Sequence, residues 1–174
     1  YTVYRDASDT KEGAEQVNAG TTVYESLCVD GDTDWYQIKA VDYTNCYRFT
    51  YVTDSATSSS FTYTILSEEG VELSKKYVYG GNESSASVKF KPGNTYYLKV
   101  NAGGYAHGAY SFKYTVNQDV ADDKSGAQYV SANTNIFESI GSSDDQDWYK
   151  FHSDKTQRLS FSGVNEDARS LKFY

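Results

Sequence analysis

The sequence of 174 residues contains no Met, one Pro, two Cys and two His. A native product starts with Met, so a chain without one is expected to be a processed or excised piece of a longer product. With two His and no Cys-x-x-Cys, a structural zinc site has no framework. No apolar run approaches the roughly 18 to 20 residues that span a bilayer, and no signal peptide is present. Basic residues are few: 16 Lys and Arg against 24 Asp and Glu give a net charge of -8, with no basic cluster. Nucleic acid needs a basic stripe, so that partner class is set aside, and binding to anionic membranes is disfavoured for the same reason; without a spanning apolar run, no membrane insertion is expected. Catalytic signatures are missing too. There is no Gly-x-Ser-x-Gly, no His-Glu-x-x-His and no phosphate-cradling loop, so the chain reads as a non-enzyme.

What is abundant is Tyr, with 18 copies against 8 Phe, together with Thr, Ser and Val. This mixture favours pleated, half-buried strands. Alternation marks them: Tyr36 with Ile38; Tyr47, Phe49 and Tyr51; Phe61, Tyr63 and Ile65; Tyr77 and Tyr79; Val88 and Phe90; Tyr96, Leu98 and Val100; Tyr110, Phe112, Tyr114 and Val116. Turn residues separate most of these runs. The expected class is all-β, an antiparallel β-sandwich of jelly-roll-like type. Only the stretch from Asp9 to Val17 suits a helical turn, with Asp9 as its cap.

The stretch Asp32-Thr33-Asp34-Trp35-Tyr36 recurs as Asp145-Gln146-Asp147-Trp148-Tyr149. A slide of 113 residues aligns Asp6 to Tyr36 with Asp119 to Tyr149 without a gap, and 14 of 31 positions are identical. Residues 1–5 then read as the end of a preceding repeat or a first strand, 6–118 as one complete module, and 119–174 as the first half of a second. Half a sandwich leaves its inner face uncovered, so further residues or another chain are expected to complete it.

The acidic turn with its Trp-Tyr pair, the later Pro92-Gly93-Asn94-Thr95-Tyr96-Tyr97-Leu98-Lys99-Val100 and the closing Gly108-Ala109-Tyr110-Ser111-Phe112 occur in one order. This order resembles the bacterial pre-peptidase C-terminal domain family, over nearly all of Asp6 to Val116 and about half a module beyond. The resemblance implies a β-sandwich module of an exported protein, secreted or on the bacterial cell surface. It includes the collagen-binding modules of clostridial collagenases, which bind calcium near the entry segment. The matching segments here are Asp6 to Thr10 and Asp30 to Asp34, without the Glu- and Asn-rich entry of the calcium-binding members.

Calcium takes six to eight oxygens, and carboxylates from two segments supply several. The candidate ligands are Asp6, Asp9, Asp32 and Asp34, with Asp119, Asp122, Asp145 and Asp147 in the second copy. The alternative is that these Asp residues cap turns. Cys28 and Cys46 are both replaced in the second copy, which suggests a disulfide, with two separate thiols as the alternative. Trp35 and Trp148 read as packing residues. Tyr43, Tyr77, Tyr79, Tyr97, Tyr105 and His107 are the candidate ligand contacts, since Tyr offers a flat ring with a hydroxyl. The expected role is a non-catalytic module that binds an extracellular polymer, polysaccharide or fibrous protein, beside neighbouring repeats of the same chain. The alternatives are a structural spacer without a ligand, and a transient extension that assists secretion.

Overall fold

The computed structural model describes residues 6–41, 45–55, 60–103, 107–118, 120–134, 136, 145–156, 158 and 160. The strands are β1 (Glu15–Gln16), β2 (Val23–Leu27), β3 (Thr33–Lys39), β4 (Asn45–Thr53), β5 (Ser60–Ser67), β6 (Glu72–Tyr79), β7 (Glu83–Phe90), β8 (Thr95–Ala102) and β9 (Gly108–Gln118). A short pair follows, β10 (Gln128–Tyr129) and β11 (Tyr149–Lys150). One sheet has the order β1-β3-β8-β5-β6 and the other β2-β9-β4-β7. All pairs in these two sheets are antiparallel except β1 with β3. This is the antiparallel β-sandwich that the alternation predicts. Among the described residues, no helix is long and apolar enough to cross a membrane.

The inner faces form a single core. Tyr36, Ile38, Phe61, Tyr63, Ile65, Leu98 and Val100 from the larger sheet meet Tyr47, Phe49, Tyr51, Val88, Phe112 and Tyr114 from the smaller. Every one follows the period-2 parity of its strand, which places it on the buried side. Burying each large side chain contributes about 1.5–3 kcal/mol. Tyr is usable in such a core when its hydroxyl finds a partner at the sandwich rim. The Tyr47 hydroxyl accepts from Val41 N at 2.8 Å, and that of Tyr96 accepts from Lys91 N at 2.8 Å. The Tyr114 hydroxyl donates to Val17 O at 3.0 Å. Tyr51 is an exception: its hydroxyl is buried with no hydrogen-bond partner.

The predicted helical turn is a 3-10 turn at Lys11–Gly13, and its N-cap is Thr10 without a side-chain cap bond. Asp9 therefore does not cap it. The counterpart turn at Lys124–Gly126 is capped by Asp123, which accepts from Ser125 N and Gly126 N. The pattern around both turns repeats at the same spacing. Trp35 N donates to Ser8 O at 2.9 Å, and Trp148 N to Ala121 O at 3.2 Å. Val17 N donates to Gln37 O, and Val130 N to Lys150 O. Glu15 pairs with Tyr36 in parallel, as Gln128 does with Tyr149. Gly13 and Gly126 occupy equivalent tight places: an added Cβ would lie 2.2 Å from Ser8 Oγ and 2.4 Å from Ala121 Cβ.

No disulfide joins Cys28 and Cys46. Cys28 follows Leu27, whose partner on β9 is Gly108, while Cys46 pairs with Asn117 at the other end of that strand. Nine residues of strand separate these positions, about 30 Å. A disulfide needs Cα atoms within about 7 Å. The two side chains do point away from the core, as the alternation implies, but they lie at opposite ends of the sheet.

Candidate functional site

Two places on the first unit combine unusual chemistry with a defined geometry. The first is the acidic corner. The bond from Trp35 N to Ser8 O and the parallel β1–β3 pair lay the entry segment along β3, which brings Asp9 beside Asp32 and Asp34. Carboxylate oxygens of these three residues lie within 4.8 Å of one another. Asp6, Cys28 and Asp32 form a second group of the same span, so Asp32 is shared.

Local backbone geometry fixes Asp32. Gly31 takes φ +81°, a left-handed conformation that favours glycine, and Asp32 N donates back to Val29 O. The Asp32 carboxylate then accepts from Cys28 N, and from Thr33 N at 2.8 Å. The turn-capping role expected as the alternative is thus present at Asp32. Asp34 is different. It shares the parity of Tyr36 and Ile38, points inward and is fully buried. The Tyr110 hydroxyl donates to Asp34 Oδ2, and the hydroxyls of Tyr110 and Tyr36 are 2.5 Å apart. Asp34 Oδ1 has no partner.

Burial pushes the Asp34 carboxyl up to about 7, against the opposing Tyr110 hydrogen bond and with help from the charges of Asp32, Asp6 and Glu25. A hydrogen bond shared with Asp32, then burial and like charge, raises Asp9. Burial pushes the Tyr110 hydroxyl far up, so it stays protonated and donates. Among the described residues no cation stands against these carboxylates, and one buried oxygen, Asp34 Oδ1, is left over.

In the second copy, Asp119 lies outside the described residues. Asp147 is half-buried beside the exposed Trp148. Asp122 and Asp145 meet Lys89, whose Nζ lies 3.2 Å and 2.6 Å from their Oδ1 atoms.

The second place is the outer face of the larger sheet. Register sets its rows. Trp35 lies opposite Lys99, Lys99 opposite Thr64, and Thr64 opposite Lys75. The adjoining row runs Asn101, Thr62, Tyr77. Together with Leu66 and Glu72 they line a groove of about 390 Å³. Thr62 and Thr64 form its buried floor. Tyr97 flanks it, edge-on to Trp35 with centroids 6.3 Å apart. Ammonium groups sit over the rings: Lys11 at 4.7 Å from Tyr97, Lys99 at 5.5 Å from Trp35 and Lys75 at 5.9 Å from Tyr77.

Three of the expected contact residues thus belong to one strip of surface. Tyr97 stands at the groove, Tyr77 lines it, and Tyr79 is 63% exposed further along β6. His107 does not join them. It is exposed, with Nδ1 3.9 Å from Asp30 Oδ1, on the loop side near β2. Tyr43 and Tyr105 lie outside the described residues. Trp35, read as a packing residue, is half-buried and packs edge-on against Tyr97 on the outer face rather than in the core, one place out of step with Tyr36 and Ile38. That one-place offset was the available signal.

No family model matches the chain, and no curated protein matches it. Among solved structures, the fold is similar to the pre-peptidase C-terminal domain of a collagenase from Bacillus anthracis. The identity is 22%, the match covers 64% of this chain and 98% of that one, and the TM-score is 0.50. A family 35 carbohydrate binding module from an environmental isolate also matches, at 10% identity over 67% and 89% of the two chains with TM-score 0.38. CsCBM6-3 from Clostridium stercorarium, solved with cellobiose, matches at 14% identity over 66% and 84% with TM-score 0.36. The likeness to the collagenase domain is one of β-sandwich fold.

Proposed function

We propose that the chain is a non-catalytic module of an exported protein, secreted or at the cell surface, and that it attaches a larger protein to an extracellular polymer. The observation that carries this reading is the groove on the larger sheet. Two partly exposed rings, Trp35 and Tyr77, flank a polar floor of Thr62, Thr64 and Asn101. Ring faces give apolar area to a sugar or an extended peptide, and the floor offers hydrogen bonds. Lys99 adds a positive charge to the groove, while Lys75 is paired with Glu72 at 3.7 Å, so hydroxyl- or carbonyl-rich polymers are the chemistry favoured. Retention on insoluble polysaccharides and on collagen tests it. The Trp35→Ala, Tyr77→Ala double variant is expected to lose at least about tenfold in affinity at unchanged melting temperature, typical for two interface aromatics. Absence of retention on every polymer, or retention that ignores both rings, would overturn it.

Calcium is proposed at the acidic corner, held by Asp9, Asp32 and Asp34 with Asp6 near. The unpartnered, fully buried Asp34 Oδ1 supports it, together with the convergence of Asp9, Asp32 and Asp34 oxygens within 4.8 Å. A hard dication prefers such oxygen donors. It would tie the entry segment to β3, a stabilising role apart from the groove.

A further inference from the structure

We propose that Lys89 is the resident cation of the second copy's acid pair, and that it pins that copy's entry segment onto the outer face of the four-stranded sheet. Asp122 and Asp145 are the repeat counterparts of Asp9 and Asp32. In the first copy that pair shares a hydrogen bond, and no cation is placed on it among the described residues. In the second copy an ammonium stands between them, 2.6 Å from Asp145 and 3.2 Å from Asp122. The Asp145 side chain is 0% exposed, whereas that of Asp122 is 61% exposed. A charge-assisted bond of 2.6 Å to a fully buried carboxylate is the strong kind, and removing the ammonium takes this cation from a negative charge held in a place water does not reach.

Lys89 comes from β7, an edge strand of the smaller sheet, and its cross-strand partner on β4 is Cys46. Cys46 is out of step with the inward residues Tyr47, Phe49 and Tyr51, so it faces outward, yet it is only 1% exposed. That end of the outer face is therefore covered. The segment that Lys89 grips also carries Val120, Ala127 and Val130, each less than a tenth exposed. Lys89 and Cys46 are cross-strand neighbours on that face, and in the proposed contact the ion pair forms the rim while these apolar residues lie beneath. The partner it fits is the entry segment of a following repeat.

Cys46 provides the readout. In the whole chain with Cys28→Ser, kept in chelator so that the calcium proposal plays no part, the rate of Cys46 labelling by a thiol reagent reports opening of the contact. Lys89→Met is expected to raise that rate about tenfold, as loss of one buried charge-assisted partner would. Asp122→Asn, on the exposed side, is expected to raise it less, and Lys89→Arg to restore slow labelling. Near-UV circular dichroism checks that the tyrosine core persists, and if Lys89→Met loses it, Asp122→Asn decides alone. Rapid labelling of the parent protein, or equal rates in parent and in Lys89→Met and Asp122→Asn, would overturn the proposal.

Discussion

Asp34→Asn isolates the buried carboxyl at the acidic corner. The side chain keeps its shape and its oxygen can still accept from Tyr110, but it can no longer ionise. In the folded chain the carboxyl is pushed up to about 7 by burial and by Asp32, Asp6 and Glu25. In the unfolded chain it titrates near its ordinary value of about 3.9. Between about pH 4 and pH 7 the unfolded state has released this proton while the folded state still holds it, so stability falls as pH rises. Full linkage over that window would be about 4 kcal/mol; screening by water near the exposed Asp9 reduces the working value to about 2 kcal/mol. That corresponds to a fall in melting temperature of about 8 °C for a unit of this size. Thermal melts of parent and variant in chelator, from pH 4 to pH 8, measure it. The slope is the observable rather than the absolute stability, because the new amide donor is itself buried. The parent should slope downward relative to the variant, which keeps the titration of Asp9 and the other carboxyls but lacks that of Asp34. Added calcium should restore the parent at pH 7, where the ionised carboxylate is a ligand, and leave the variant unchanged. A parent stability that is flat or rising relative to the variant from pH 4 to pH 7 in chelator would refute the electrostatic reasoning. A downward slope that calcium fails to correct would refute the metal alone.

Two further outcomes follow from individual side chains. Tyr51→Phe removes a buried hydroxyl that has no partner, so it should be neutral or stabilising by up to about 1–2 kcal/mol in denaturant unfolding; a loss above that size would mean the hydroxyl is bonded in solution. Gly13→Ala places a methyl group 2.2 Å from Ser8 Oγ. Ser8 Oγ must turn away and its Cβ, 3.0 Å off, must give; a cost of about 1–3 kcal/mol is expected, together with weaker calcium affinity by calorimetry, and an unchanged affinity would separate the Lys11–Gly13 turn from the acidic corner.

Much of the architecture was legible because strand alternation is a local property. The parity of Tyr47, Phe49 and Tyr51, or of Phe61, Tyr63 and Ile65, assigns each to the buried face without knowledge of which strand lies alongside. The same parity marks Asp34 as an inward acid and Trp35 as an outward ring, since they flank one another on the strand of Tyr36 and Ile38. Their repetition in the second copy drew attention to the pair without assigning either role. The cysteines show the limit of this reasoning. Both face away from the core, as their positions imply, but parity says nothing about height along a strand.

By itself, the sequence determined the strand-rich class, the repeat of 113 residues, the inner faces and the acids of the entry segment. Each rests on period, composition or self-similarity, which neighbouring residues carry between them. Only the tertiary structure decided which strands pair. Pairing sets Trp35 beside Lys99 and Thr64 beside Lys75 to make a groove, sets Asp9 beside Asp34, and places Cys28 and Cys46 at opposite ends of β9. Those contacts join residues far apart in the chain, and their register follows from closing one shared core, which no single stretch of sequence contains.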